Sequence, residues 1–417
     1  MVTHCTPVAV QRGTTAEVTV EGQMNFSGVA SVLFAGAGLT AEVIPGPPPK
    51  DAKARIGSAK LKMTVAADAT LGPREFRLVS PLGLSTVGQL VVVADPVIVE
   101  TTNNNTIATA TPLPVPGVAS GRIEAVEDVD TYKVHLDTGQ TLTAEVYGAR
   151  LQDKIHDLQK HLDPLLTLVD AQGRELAVND DYFFADPLLT YTAPTAGDYF
   201  IQVRDAKYDG DARWAYALLA TTKPYTAHTF PMAGNPGQAL TVEPISPAGS
   251  MPAVPFPVPS EIGLRSVALP INAESSNLVA FVVSSLPQVT EAEPNDTPAQ
   301  AQRLNLPCGV NGRIGKPRDL DYFRFKGEKG KAVRFEVKAR RFGTPLQSAL
   351  DSILEVLDDK GRILAANDDD PTTGKDALLT FTPSADGEYL LRLRDLNSKG
   401  GPAFVYYLEA DYAKPDF

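Results

Sequence analysis

The sequence predicts an all-β chain built as tandem antiparallel β-sandwiches, with small and large units alternating. Three observations carry this expectation: segments in which apolar and charged residues alternate, turn residues that separate those segments at short intervals, and an internal repeat displaced by about 190 residues. At 417 residues, 43% hydrophobic and 21% charged, the chain is long enough for several cores. No apolar run approaches the roughly 18 residues of a membrane span. The net charge of −12 opposes polyphosphate, so nucleic acid is not an expected partner, whereas excess carboxylate suits cation binding or plain solubility.

Taken in order, residues 1–95 read as a first small sandwich. Ala16-Glu-Val-Thr-Val-Glu, Lys60-Leu-Lys-Met-Thr-Val and Glu75-Phe-Arg-Leu-Val all alternate, and Pro45-Gly-Pro-Pro-Pro-Lys is a loop. Gly36-x-Gly38-x-x-Ala41 imitates a dinucleotide fingerprint. Such a fingerprint must open a helix, and Glu42-Val-Ile-Pro-Gly-Pro-Pro-Pro follows instead, so the stretch is predicted to be a hairpin. Residues 96–221 form a larger sandwich. In it Leu151, Ile155, Leu158 and Leu162 share one helical face and predict a short helix or ordered loop across one end. Residues 222–287 are a reduced relative of the first unit, with Pro244 to Pro259 as an extended, semi-rigid segment. Residues 288–417 complete the pattern as a second large sandwich, with Val333-Arg-Phe-Glu-Val-Lys and Tyr389-Leu-Leu-Arg-Leu-Arg as half-buried strands.

The repeat is most explicit in the large units. Glu100-Thr-Thr-Asn-Asn-Asn-Thr corresponds to Glu291-Ala-Glu-Pro-Asn-Asp-Thr, Gly121-Arg-Ile to Gly312-Arg-Ile, and Asp128-Val-Asp-Thr-Tyr to Asp319-Leu-Asp-Tyr-Phe. Asn179-Asp-Asp, Gly197-Asp-Tyr and Arg204-Asp pair in the same order with Asn367-Asp-Asp, Gly387-Glu-Tyr and Arg394-Asp.

On these residues the chain resembles the bacterial pre-peptidase C-terminal (PPC) domain, over 288–413 most specifically and over 97–221 more loosely. That family is a jelly-roll-like β-sandwich, similar to the collagen-binding domain of secreted collagenases, and is usually appended to secreted proteases. Gln11-Arg-Gly-Thr-Thr-Ala-Glu-Val-Thr-Val-Glu-Gly resembles bacterial immunoglobulin-like domains found beside it. The resemblance implies an extracellular or cell-surface protein. It also implies a calcium site, because hard cations take six or more oxygen ligands and family members supply them from the leading acidic segment and the Asp-x-Asp turn. Carried over, the ligands are Glu291, Glu293, Asn295, Asp296, Asp319 and Asp321. In the first copy Thr102 and Asn105 replace the second Glu and the Asp, so a weak or absent site is expected there.

Catalytic signatures are lacking. His156 and His161 lie five apart and cannot share a helix face as a zinc motif requires, no Gly-x-Ser-x-Gly elbow occurs, and the Asn367-Asp-Asp-Asp run does not fit an EF-hand. Cys5 and Cys308 have no metal-type spacing. Met1-Val-Thr-His-Cys-Thr-Pro does not begin like a signal peptide. Tyr182-Phe-Phe, in the first copy only, either stacks on a ligand or folds back over the sandwich end. The expected role is non-catalytic: attachment to an extracellular protein or polysaccharide polymer, with calcium stiffening the junction between small and large sandwiches. A structural spacer is the alternative, and a hydrolase the remote one.

Overall fold

The computed structural model describes residues 1–23, 25–46, 55–152, 160–182, 185–272, 274–339, 349–373 and 376–413. The chain divides into two compact units, Met1–Thr222 and Lys223–Phe417. Each contains a small and a large two-sheet sandwich.

In the first unit the small sandwich has one sheet in the order Val2–Thr6, Thr15–Gly22, Ser58–Val65, Leu39–Ile44. The other runs Ala9–Gln11, Gly88–Val93, Gly72–Ser80, Ser31–Phe34. Alternation does what periodicity requires: along Ser58–Val65 every second side chain is buried, and Leu61 and Met63 enter the core. Gly88–Val93 is buried on both faces, because its outer face packs with Val118, Ala215 and Ala217 of the large sandwich. The run Leu90-Val-Val-Val is apolar for that reason.

The large sandwich stacks the sheet Val97–Val99, Gly117–Arg122, Ala215–Thr221, Thr141–Tyr147, Leu188–Thr192 on the sheet Thr111–Pro112, Val129–Leu136, Gly197–Asp205, Pro164–Val169, Glu175–Asn179. Tyr132, Val134, Leu166, Ile201, Tyr216 and Leu218 form its core. The second unit repeats this order: Gln288–Thr290, Cys308–Arg313, Val405–Tyr412, Val333–Lys338, Leu378–Phe381 on Gln302–Arg303, Asp321–Gly327, Gly387–Asp395, Ser352–Leu357, Ile363–Asn367. Its small sandwich has the sheets His228–Phe230, Ala239–Ser246, with Gly249–Ser250 and Val254–Pro257 on the latter, and Ala233–Gly234, Glu274–Val283, Gly263–Ile271.

Several expectations are corrected. The ladders are not uniformly antiparallel, since the leading strand of each large sandwich, Val97–Val99 or Gln288–Thr290, joins Gly117–Arg122 or Cys308–Arg313 in parallel. Gly36 and Gly38 do not turn a hairpin. Their positive φ angles carry the chain from Ser31–Phe34 in one sheet to Leu39–Ile44 in the facing sheet. The helix at one end of the first large sandwich spans Ala149–Gln152, and the rest of its proposed face, Ile155 and Leu158, lies outside the described residues. Pro244 to Pro259 is not one extended segment: the chain turns back between Ser246 and Gly249, and Val254–Pro257 then pairs with Ala239–Ser246 as a sheet edge, where proline is tolerated.

Candidate metal centre

Three motifs that are distant in sequence converge at one end of the second large sandwich. Gln288–Thr290 runs beside Cys308–Arg313 and delivers Glu291 to the Gly312-Arg313 peptide, whose Arg313 N–H donates to Glu291 Oε2 at 2.7 Å. Asp321 opens the strand Asp321–Gly327 from the facing sheet. Tyr406 lies opposite Gly312 in register, and its hydroxyl donates to Asp321 Oδ2 at 2.5 Å, with Glu291 Oε1 at 3.3 Å. The glycine is obligatory, since a Cβ there would lie 2.1 Å from Tyr406 Cζ. The loop 291–297 is folded on itself: Asn295 Nδ2 donates to Glu291 Oε1 at 2.8 Å, Asn295 N–H to Glu293 Oε2 at 2.9 Å, and Tyr322 N–H to the Asn295 carbonyl at 3.0 Å.

Carboxylate oxygens of Glu291, Glu293 and Asp321 lie within 4.8 Å of one another. Asn295 and Asp321 are fully buried, and Asn295 Oδ1 and Asp321 Oδ1 have no hydrogen-bond donor. Burial, followed by the charge of Glu291, holds the Asp321 carboxyl well above the usual range. Burial likewise raises Glu293, with the charges of Asp319, Glu291 and Asp296 adding to it. Buried acceptors without donors are costly, and clustered carboxylates repel. A hard divalent cation removes both penalties, so the donor set fits calcium.

The other two sequence candidates stand slightly apart. Asp319 accepts from Gly315 N–H at 2.7 Å, and Lys316 Nζ reaches both Asp296 Oδ2 at 3.2 Å and Asp319 Oδ1 at 3.5 Å. The hydrogen bond shared with Asp319 and the Lys316 ammonium lower Asp296, while burial and the same shared bond raise Asp319. The structure thus brings Glu291, Glu293, Asn295 and Asp321 together and places Asp296 and Asp319 in a lysine-bridged pair beside them.

The corresponding place in the first unit is filled differently. Glu100 accepts from Arg122 N–H at 2.9 Å, and Tyr216 donates to Asp130 at 2.6 Å, as their counterparts do. But Tyr132 stands where the second unit has Phe323. Its hydroxyl lies 2.7 Å from that of Tyr216 and 3.4 Å from Glu100 Oε2. Glu100 is pushed up to about 10 by burial and by Asp130, and Asp130 to about 7 by burial. Asn105 donates to Asp128 instead of adding a carboxylate. Glu100 and Asp130 still face one another, but the Tyr132 hydroxyl is added beside them and Thr102 stands in place of the third carboxylate.

Reading the sequence missed Tyr132, Tyr216 and Tyr406. Extending the repeat to Ala215-Tyr-Ala and Val405-Tyr-Tyr would have found the two that lie opposite the glycines. Among the remaining candidates, Asn179 and Asn367 cap loops, accepting from Leu188 and Leu378 N–H at 3.0 and 3.3 Å. His135 pairs with Asp198 at 2.9 Å, Cys5 and Cys308 are buried free thiols, and Tyr182 is half-buried. His156, Phe183 and Phe184 lie outside the described residues. No helix among the described residues is long and apolar enough to cross a membrane.

Residues 128–205 match the family described as the bacterial pre-peptidase C-terminal domain. The chain is 39% identical over 107 residues to a protein of Deinococcus radiodurans named "Probable subtilase-type serine protease", a match that covers 25% of this chain and 14% of that protein. The chain therefore spans a small part of the length of that relative. Among solved structures, the pre-peptidase C-terminal domain of a Bacillus anthracis collagenase is similar at 15% identity and a TM-score of 0.21, over 27% of this chain and 94% of that one. A glucan-utilization-locus protein of Bacteroides ovatus, SGBP-B, is similar at 8% identity and a TM-score of 0.18, over 97% of this chain and 72% of that one.

Proposed function

We propose that the chain is a non-catalytic extracellular module that attaches a secreted or surface protein to a protein or polysaccharide polymer, and that calcium bound in the second unit stabilises it. The observation that carries the calcium reading is the pair of fully buried, donorless oxygens, Asn295 Oδ1 and Asp321 Oδ1, beside the Glu291 and Glu293 carboxylates. Glu291, Glu293, Asn295 and Asp321 would hold the ion, with Asp319 and Asp296 adding charge nearby. The pre-peptidase C-terminal match and the partial likeness to a serine protease support an accessory role.

Within the second unit the same centre touches the junction with the small sandwich. Arg313, whose N–H anchors Glu291, extends its guanidinium to Glu243 at 3.0 Å and lies over the Phe230 ring at 4.4 Å. Fixing Glu291 therefore also fixes Arg313 and the junction it spans. Titration of calcium into the metal-free chain is expected to give the heat of one site and a rise in melting temperature, because a ligand that binds the native state stabilises it. The absence of both heat and a melting shift at millimolar calcium would sink this reading. The repeated unit also favours a spacer. Retention on collagen, peptide or polysaccharide matrices supports attachment, and its absence together with an elongated shape supports the spacer.

A further inference from the structure

The strands that the two small sandwiches share correspond down to individual hydrogen bonds. Ser85 Oγ accepts from Leu78 N–H at 2.9 Å, and Ser276 Oγ accepts from Leu269 N–H at 2.9 Å. Arg74 and Arg265 both turn back onto carbonyls of the preceding loop, at Thr70 and at Glu261 and Ile262. Gly72–Ser80 and Gly263–Ile271 are therefore the same strand. In the first unit it is flanked on one side by Gly88–Val93 and on the other by Ser31–Phe34, in the antiparallel register Phe34 to Phe76, Val32 to Leu78. In the second unit it pairs with Glu274–Val283 alone among the described residues. The chain passes from Ala239–Ser246 through Gly249–Ser250 to Val254–Pro257 without the two strands that the first unit inserts between Thr15–Gly22 and Ser58–Val65.

Among the described residues this edge is open, and it is defended at one end only: Pro270 and a bulge between Ala268 and Pro270 interrupt it there, while Gly263–Ala268 is regular. Natural sheets blunt their edges with lysine, proline, short length or bulges. Gly263–Ile271 is nine residues long, its one charge is Arg265, and its exposed side chains are Leu264, Ser266, Ala268 and Pro270, with Ile262 exposed just before it. The facing sheet's edge, Val254–Pro257, is blocked by Pro255 and Pro257. The core does not need a further strand: the rings of Phe256 and Phe281 meet tilted, 4.9 Å apart, and are buried. What the edge presents is a row of backbone N–H and C=O groups that no described strand pairs, and another extended chain can pair such a row.

The geometry points to Gly263–Ile271 as a β-augmentation site that takes an extended, uncharged polypeptide strand of a partner protein, added antiparallel as Ser31–Phe34 is added in the first unit. The proposal is independent of the calcium centre. Its test uses the full chain and a fluorescent synthetic peptide that reproduces residues 27–36, read by anisotropy. Saturable binding is expected, weakened at least about tenfold by Ser266→Lys combined with Ala268→Lys, because lysine on an edge opposes pairing. Both side chains are exposed, so the melting temperature should not change; Ser266→Glu with Ala268→Glu replaces the pair if the lysine variant misfolds. No binding at millimolar peptide, or equal binding to the variants, overturns the proposal. So does sedimentation that shows the chain alone dimerising through this edge, because the occupant is then a second copy.

Discussion

Asp321→Asn separates the electrostatic problem at the centre from its metal solution. Without metal, Asp321 holds its proton in the fold to a higher pH than in the unfolded chain, because burial and Glu291 disfavour its charge. The native state then binds more protons than the unfolded state, so stability is greatest at low pH and falls as pH rises through that interval. The slope for one such group is about 1.4 kcal/mol per pH unit, or roughly 3–6 °C in melting temperature for a unit of this size. The amide keeps an acceptor for Tyr406 and a donor for Glu291 but has no proton to lose. In chelator the variant should lack this slope and melt above the wild type at alkaline pH. In calcium the order reverses: at a hundredfold excess over Kd the wild type gains about 2.7 kcal/mol, which the variant, short of a ligand charge, should lose. Calorimetric melts at pH 5 and pH 8, with chelator and with calcium, read all four values. A full calcium shift in the variant, or an unchanged pH slope in chelator, would refute the reasoning.

The first unit should behave as a metal-independent counterpart. With Asp130 pushed up to about 7, that group alone should lower stability by at most roughly 4 kcal/mol between about pH 4 and pH 7, with Glu100 adding a further fall. Asp130→Asn should remove that share of the fall in urea titrations, and calcium should leave the first unit's transition unmoved in both proteins. Gly312→Ala drives a methyl into Tyr406 and should cost at least about 1–3 kcal/mol while weakening calcium binding, measurable by melting and titration calorimetry. Asp186 accepts N–H groups of Gly148, Ala149 and Arg150 and pairs with Arg150 Nε at 2.5 Å, all away from water. Asp186→Ala should therefore cost about 3–5 kcal/mol in urea unfolding of the first unit.

The fold class was legible because each strand carries its own periodicity, as Ser58–Val65 does, and because turn residues mark where strands stop. Sheet membership was not. Nothing local distinguishes a turn that makes a hairpin from one that crosses to the facing sheet, so Gly36 and Gly38 were read one way and act the other. At the centre, the oxygen donors were legible as residue types, and the repeat located them. The division among them was hidden: it depends on Lys316, three residues from Asp319, choosing Asp296 and Asp319 over Glu291 and Asp321. Also hidden was the hydroxyl that distinguishes Tyr132 from Phe323, since both are aromatic core residues to a pattern of hydrophobicity.

The shortened second small sandwich is, for protein engineering, a deletion experiment already carried out within one molecule. Two strands are gone, the pair Phe256–Phe281 packs more closely than Phe34–Phe76 does in the first unit, and the hydrogen bonds of Ser276 and Arg265 keep their counterparts. The stretch between Gly22 and Ser58 of the first unit is accordingly the place where this scaffold tolerates a change of length. A foreign loop, tag or recognition peptide grafted there would leave both large sandwiches and their junctions as they are.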